Sequence, residues 1–274
     1  MNRAQRRKEK RLQEKNNNNQ ETLNETFEMT YSLHRPWADI LFETQLPPTV
    51  LETMIRLSDN IMNDSNRTNW GNNLAGQIKD EPLVPPQKLK EQNLTDFFGN
   101  MVLEYVHQCN LQKAPPQYHG DMERLRNSIK VTINSMWIVE QQAGEYNPLH
   151  VHTNCDVSSV MYLKVPKFLP SEKRDRDDDG AILFVGSSGG GESKLKTATV
   201  KIIPHPGQFF IFPSHMQHAV YPYKTDDSFA RRSISFNANY MIHTPDHQWV
   251  AGSSEDLNSK FQYWDKNKNS ENIL

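Results

Sequence analysis

The sequence predicts a mainly β fold, with a helical N-terminal part packed on a C-terminal double-stranded β-barrel. Three observations carry this expectation. Apolar residues recur at helical spacing over two stretches of the first half. From about Ile129 the period shortens to two and β-branched residues take over. Turn residues punctuate the many short runs of the second half, as in sandwiches and barrels.

Taken in order, residues 27–33 alternate well enough for a strand, which Pro36 closes. After Leu46-Pro47-Pro48, the positions Val50, Leu51, Met54, Ile55, Leu57, Ile61 and Met62 share one helical face. The prolines suit a helix start, because their fixed φ is already helical and their missing N–H is not needed there. A polar loop with Trp70 and Leu74 follows at 63–79. A second helix is expected over about 89–109, where Leu94, Phe97, Phe98, Met101, Val102, Tyr105 and Val106 keep the same period. Both helices read as core packing.

Strands are expected next. Val131, Ile133, Ser135, Trp137 and Val139 alternate, and VSSVMYLKV at 157–165 is closed by Pro166. Shorter strands are expected at 181–185, 197–203, 208–212, 218–220 and 233–239. The polar loops 170–180 and 186–195 belong on the surface. The acidic run at 175–180 lacks the ligand spacing and closing glutamate of a calcium loop.

Composition narrows the function classes. The chain of 274 residues with 36% hydrophobic residues is long enough for one large domain. A net charge of −2 gives no global electrostatic case for nucleic-acid or membrane binding. No apolar run approaches the roughly 18 residues of a membrane helix. Cys109 and Cys155 form neither a disulfide framework nor a C-x-x-C pair, which fits a reducing cytoplasm. Seven basic residues face two acidic ones among residues 1–15, followed by Asn16 to Asn19. Such a stretch cannot bury enough apolar surface to offset its ordering entropy, so residues 1–25 are expected to be a solvated basic tail. A single domain is expected over 26–274: a helical part at 26–125, a barrel core at 126–245 and an extension at 246–274.

The chemistry lies in the second half. In Asn147-Pro148-Leu149-His150-Val151-His152, two histidines at i and i+2 on an extended chain point to one side. Two imidazoles so placed can meet one metal ion at about 2.1 Å per bond. Downstream, a Pro206-Gly207 turn launches an apolar strand, a Phe212-Pro213-Ser214 turn ends it, and His218 opens the next. In a β-barrel that arrangement can bring a third ligand beside the first two. Arg231 and Ser233 then share a strand face and can grip a carboxylate, the arginine through a paired fork. The residue-level alternatives are ordinary: polar residues at a strand start, and a solvated surface arginine.

The order H-x-H, distal His, R-x-S resembles the 2-oxoglutarate- and Fe(II)-dependent oxygenase superfamily, and more closely a subgroup found in bacteria and marine phages. The matching motifs are Asn147 to His152, Ser158 to Pro166, Gly180 to Phe184, Pro204 to Val220 and Arg231 to Asn237, with a looser likeness over WGNNLAGQI at 70–78. The resemblance implies a jelly-roll or cupin-like barrel, with Fe(II), 2-oxoglutarate as co-substrate, and dioxygen. It places His150, His152 and His218 on the metal and Arg231 on the distal carboxylate of 2-oxoglutarate, supported by Ser233. Tyr162 would either hydrogen-bond the co-substrate or pack in the core. Asn147 would cap the turn or meet substrate, His215 would back the site or pack, and Arg232 would face away.

One departure matters. The superfamily at large uses H-x-D or H-x-E, whereas residue 152 is His. Three neutral ligands leave more positive charge on the iron, so Asp156 stands as an alternative carboxylate ligand. The resemblance implies hydroxylation of an unidentified prime substrate (small molecule, protein side chain or nucleic acid), without a membrane partner and with a homodimer left open. The location would be cytoplasmic, in the host cytoplasm if phage-encoded. Two other classes stay open: a cupin-type metal protein that does not use 2-oxoglutarate, and a scaffold with a degenerate site.

Overall fold

The structure, a computed structural model, describes residues 28–34, 39–113, 126–170, 178–186, 199–243 and 249–251. The basic tail, most of the loops at 170–180 and 186–195, and nearly all of the 246–274 extension lie outside the described residues.

The chain begins with strands β1 (Tyr31–His34) and β2 (Leu41–Gln45), then helices α1 (Pro48–Met62), α2 (Pro86–Glu91) and α3 (Leu94–Lys113). The β-rich part runs β3 (Ile129–Gln141), β4 (Asn147–His150), β5 (Val157–Lys164), β6 (Ile182–Val185) and β7 (Thr199–Ile202). It ends with β8 (Gln208–Pro213), β9 (Gln217–Val220), β10 (Arg231–His243) and β11 (Trp249–Ala251). Pro48 opens α1, as the proline signal requires. The expected second helix is two helices, because Asn93 takes a left-handed φ of 55° between them. β2 has no expectation in the sequence reading; its LFETQ run is brief and sits against the prolines that start α1.

All strand pairs are antiparallel and fall into two sheets. The seven-stranded sheet has the order β1-β2-β8-β5-β10-β11, with β3 also paired to β10; the four-stranded sheet has the order β4-β9-β6-β7. The mainly β expectation therefore holds, but the sheets do not close into a barrel: among the described residues no strand ladder joins them. Every strand of the smaller sheet is four residues long, too short to tilt and wrap across to the larger sheet as closure demands.

The central strands β5 and β8 of the larger sheet are buried on both faces. Phe209, Ile211, Met161, Leu163, Ile234 and Phe236 form a core with Val50, Met54, Leu57, Phe98 and Val102 of the helices. The intervening residues Phe210, Phe212, Val160 and Tyr162 face the smaller sheet and pack on Ile182, Phe184 and Val220. The period of two thus splits each central strand into a helix-side row and an inner row. No helix among the described residues is long and apolar enough to cross a membrane.

Candidate active site

The inner rows make the floor of a cavity of about 600 Å³ between the sheets. Register fixes the floor residue by residue. Arg231, Ser233, Ser235 and Asn237 of β10 stand opposite Gln141, Val139, Trp137 and Ser135 of β3. On the other flank Ser233 stands opposite Tyr162 and Ser235 opposite Val160. A shift between Asn237 and Ala238 leaves Asn134 as the extra residue on β3, and Asn134 also lines the cavity.

The roof carries the three histidines. His150 and His218 are Cα partners across β4 and β9, and Asn147 pairs with Val220. Three steps on β4 therefore match two on β9, a bulge that falls at Pro148 and Leu149. Proline cannot donate to a ladder, so a bulge accommodates it and re-aims the next side chain. His152 follows β4 and donates its backbone N–H to Ser214 O at 2.9 Å, which holds it over the same space. One ring nitrogen from each of His150, His152 and His218 lies within 4.8 Å of the others.

Ring orientation suits metal binding. His150 Nδ1 lies 2.7 Å from Pro148 O, and His218 Nδ1 lies 2.9 Å from Met216 O. Those carbonyls accept the Nδ1 protons and leave both Nε2 lone pairs for the cavity. His152 Nε2 sits 3.3 Å from His218 Nε2, close to the roughly 3 Å that two nitrogens at right angles on one ion would keep with bonds of about 2.1 Å. Burial pushes the His152 imidazole down to about 4, and lowers His150 and His218 as well. All three are therefore neutral imidazoles near pH 7, the form that can bind a metal.

Asp156 is not brought to this cluster. Its Oδ2 accepts the Tyr240 amide at 3.1 Å, and its own amide donates to Ala238 O and Asn239 Oδ1. One oxygen of the carboxylate is thereby engaged with β10. His215 is exposed and lies 3.2 Å from Asp39, so it neither packs in the core nor backs the site. Arg232 faces the helices, paired with Glu140 and Asp59.

Arg231 is 2% exposed and points into the cavity from the floor. One guanidinium NH2 donates to Gly180 O at 2.5 Å and the other to Gln141 Oε1. Gly180 has a φ of 73° and packs where a Cβ would strike the Phe168 ring at 2.4 Å, so only glycine presents its carbonyl there. The Arg231 guanidinium lies 5.6 Å from the ring centroids of both Tyr162 and Tyr223. No carboxylate among the described residues pairs with it, and its Nε has no partner. The Tyr162 hydroxyl is also buried without one. Burial lowers the arginine's proton affinity and raises the Tyr162 phenol to about 12. Ser233 is buried beside them.

Gln141, Tyr223 and Glu81 were not singled out by the sequence reading, and Gly180 entered it only as the first residue of a matching motif. Gln141 had a faint signal, as the next step in the alternating row Ser135, Trp137, Val139. Tyr223 had none: its hydroxyl accepts the Arg231 amide at 2.8 Å and donates to Gln141 O at 2.6 Å, contacts made only by the fold. Glu81 follows Lys79 and Asp80 and reads as a solvated charge run, yet it is 1% exposed.

Residues 135–237 match the model of the family described as "Putative 2OG-Fe(II) oxygenase". No curated protein matches the chain. Among solved structures, a Pseudomonas putida prolyl-4-hydroxylase is 14% identical, with 72% of this chain and 91% of that one covered and a TM-score of 0.41. The viral collagen prolyl hydroxylase of Paramecium bursaria Chlorella virus-1, solved with 2-oxoglutarate, is 13% identical over 72% and 94% of the two chains, TM-score 0.41. A Trichoplax adhaerens prolyl hydroxylase, in complex with a hypoxia-inducible-factor peptide, is 14% identical over 87% and 93%, TM-score 0.44. Likeness at that level carries no inference about substrate.

Proposed function

We infer that this chain is a 2-oxoglutarate- and Fe(II)-dependent oxygenase, a reading supported by the family match over residues 135–237, and that it holds iron on the Nε2 atoms of His150, His152 and His218 and its co-substrate on Arg231. The observation that carries the reading is Arg231 itself: a buried guanidinium with no carboxylate partner, in one cavity with three neutral imidazoles. A buried charge left unpaired is unfavourable. A dicarboxylate in the cavity relieves that: one end reaches the metal and the other supplies the missing anion.

When bound, Fe(II), 2-oxoglutarate and dioxygen supply oxidative decarboxylation to succinate and carbon dioxide, coupled to hydroxylation of a substrate C–H bond. The residues of this chain orient and enclose. Gln141 Oε1 and Gly180 O fix the guanidinium plane, leaving Nε free to donate toward the carboxylate. The Tyr162 hydroxyl and Ser233 Oγ stand beside it as further hydrogen-bond groups, each with capacity for a carboxylate oxygen. Phe212, Ile182 and Val220 line the same cavity and keep water from the reacting atoms. The hydrogen bond from the Tyr240 amide to Asp156 Oδ2 supports the three-histidine set over one that includes Asp156. The prime substrate is a small molecule, a protein side chain or a nucleic acid.

The test is anaerobic addition of Fe(II) and 2-oxoglutarate to the purified chain, followed by visible absorption. A weak charge-transfer band that needs both additions is expected. Iron binding without a band would overturn the co-substrate assignment and favour a metal protein that does not use 2-oxoglutarate. No iron binding would overturn the metal site.

A further inference from the structure

The cavity has one feature that neither iron nor 2-oxoglutarate uses. The segment around Glu81 runs along the outer edge of β3: Ile138 N donates to Pro82 O, Glu140 N to Asp80 O, and Leu83 bridges Trp137. That antiparallel register sets Glu81 across from Val139, and alternation turns both side chains to the cavity. Glu81 is the single carboxylate among the described residues lining the cavity. Its Oε2 is buried with no hydrogen-bond partner. A Cβ at Gly71 would lie 3.3 Å from Oε2, and one at Gly76 3.2 Å from Oε1, so the carboxylate lies against these two glycines, with the Asn69 and Asn147 side-chain oxygens near the same positions and no hydrogen bond made to Oε2. Trp70, Leu74 and Trp137 line the same cavity and belong, with Ile78, to one small apolar cluster.

A desolvated carboxylate, acceptor-only once ionised and sharing its cavity with two indoles, complements a hydrogen-bond donor that carries positive charge. The carboxylate meets the charge, the indole faces attract it, and the apolar wall takes an aliphatic stem. We propose that Glu81 recognises a basic nitrogen of the prime substrate, an ammonium or guanidinium on an aliphatic stem, with Trp70 and Trp137 flanking it. This rests on the oxygenase reading for the reaction, but the recognition is separable from it. Burial, with Glu145 nearby, holds the Glu81 carboxyl up at about 7 in the free protein. Such a group gains a full charge when a cation arrives.

The experiment uses the full chain with Fe(II) and 2-oxoglutarate under anaerobic conditions. Three probes are titrated: Nα-acetyl-lysine methylamide, agmatine, and the uncharged Nα-acetyl-norleucine methylamide. Binding is read by tryptophan fluorescence, since Trp70 and Trp137 line the cavity, and separately by perturbation of the charge-transfer band. The cationic probes should bind at least about tenfold more tightly than the norleucine analogue, the equivalent of one charge-assisted contact. Glu81→Gln should abolish that preference and leave the 2-oxoglutarate titration unchanged. Equal binding of the three probes, or a preference that survives in Glu81→Gln, overturns the proposal. Should Glu81→Gln not fold, Glu81→Asp is read with the same probes: retained preference with weaker binding supports the assignment, and unchanged affinity overturns it. A missing band with cation preference intact sinks the oxygenase reading alone.

Discussion

Replacing Glu81 with glutamine should alter how folding stability depends on pH, and the size of the change can be worked out. A glutamate carboxyl ordinarily titrates at 4.5; in the fold Glu81 titrates at about 7, because burial and the neighbouring Glu145 disfavour its ionised form. Between those two values the folded chain binds the proton more tightly than the unfolded chain. The stabilisation is therefore complete below about 4.5 and is lost as pH rises through about 7. At about 1.4 kcal/mol for each pH unit of separation, the loss amounts to about 3 kcal/mol. Glutamine cannot ionise, so Glu81→Gln lacks this slope. Its amide meets the same donor-poor environment and carries a cost of its own, but that cost does not vary with pH. The assay is urea denaturation of the metal-free protein and the variant at several values from pH 4.5 to 8.5. The stability difference should move in favour of the variant by about 3 kcal/mol across that window. A difference that stays constant with pH would refute the claim that Glu81 is a buried, unpaired carboxyl.

Two further outcomes are expected. His218→Ala removes a ligand that His150 and His152 cannot replace, so stoichiometric iron should be lost; undiminished iron by metal analysis would rule out its role. The neighbouring arginines should separate function from stability. Arg231→Met should weaken 2-oxoglutarate binding by about a hundredfold, the loss of a charge-assisted pair worth roughly 3 kcal/mol, with a modest stability change because no carboxylate is stranded. Arg232→Met should leave 2-oxoglutarate binding intact but cost about 3 kcal/mol in urea denaturation, since it strands the Glu140 carboxylate while Asp59 keeps Lys164. Identical behaviour of the two variants in both assays would sink the distinction.

The sequence by itself determined the features that depend on local spacing. The helical period and the prolines placed α1, and the period of two placed β3, β5, β8 and β10, because both are properties of a few neighbouring residues. His150 with His152, and Arg231 with Ser233, were legible for the same reason, each pair sitting at i and i+2, whereas His218 stood out by its place after the Pro206-Gly207 strand and the Phe212-Pro213-Ser214 turn. Tertiary structure decided the rest. Whether the strands close depends on the lengths of β4, β6, β7 and β9 against a sheet the sequence cannot position. Asp156 and Asn147 look equally available as ligands or caps until β10 arrives beside the one and β9 beside the other. Arg231 and Arg232 are adjacent identical residues; only the packing of helices on one face of β10 and a cavity on the other pairs Arg232 with Glu140 and Asp59 and leaves Arg231 lining the cavity. Glu81 is the clearest case, since its burial arises from contacts with β3 and with Gly71 and Gly76. Local periodicity records which face a residue occupies; desolvation and missing partners are properties of what the rest of the chain brings to that face.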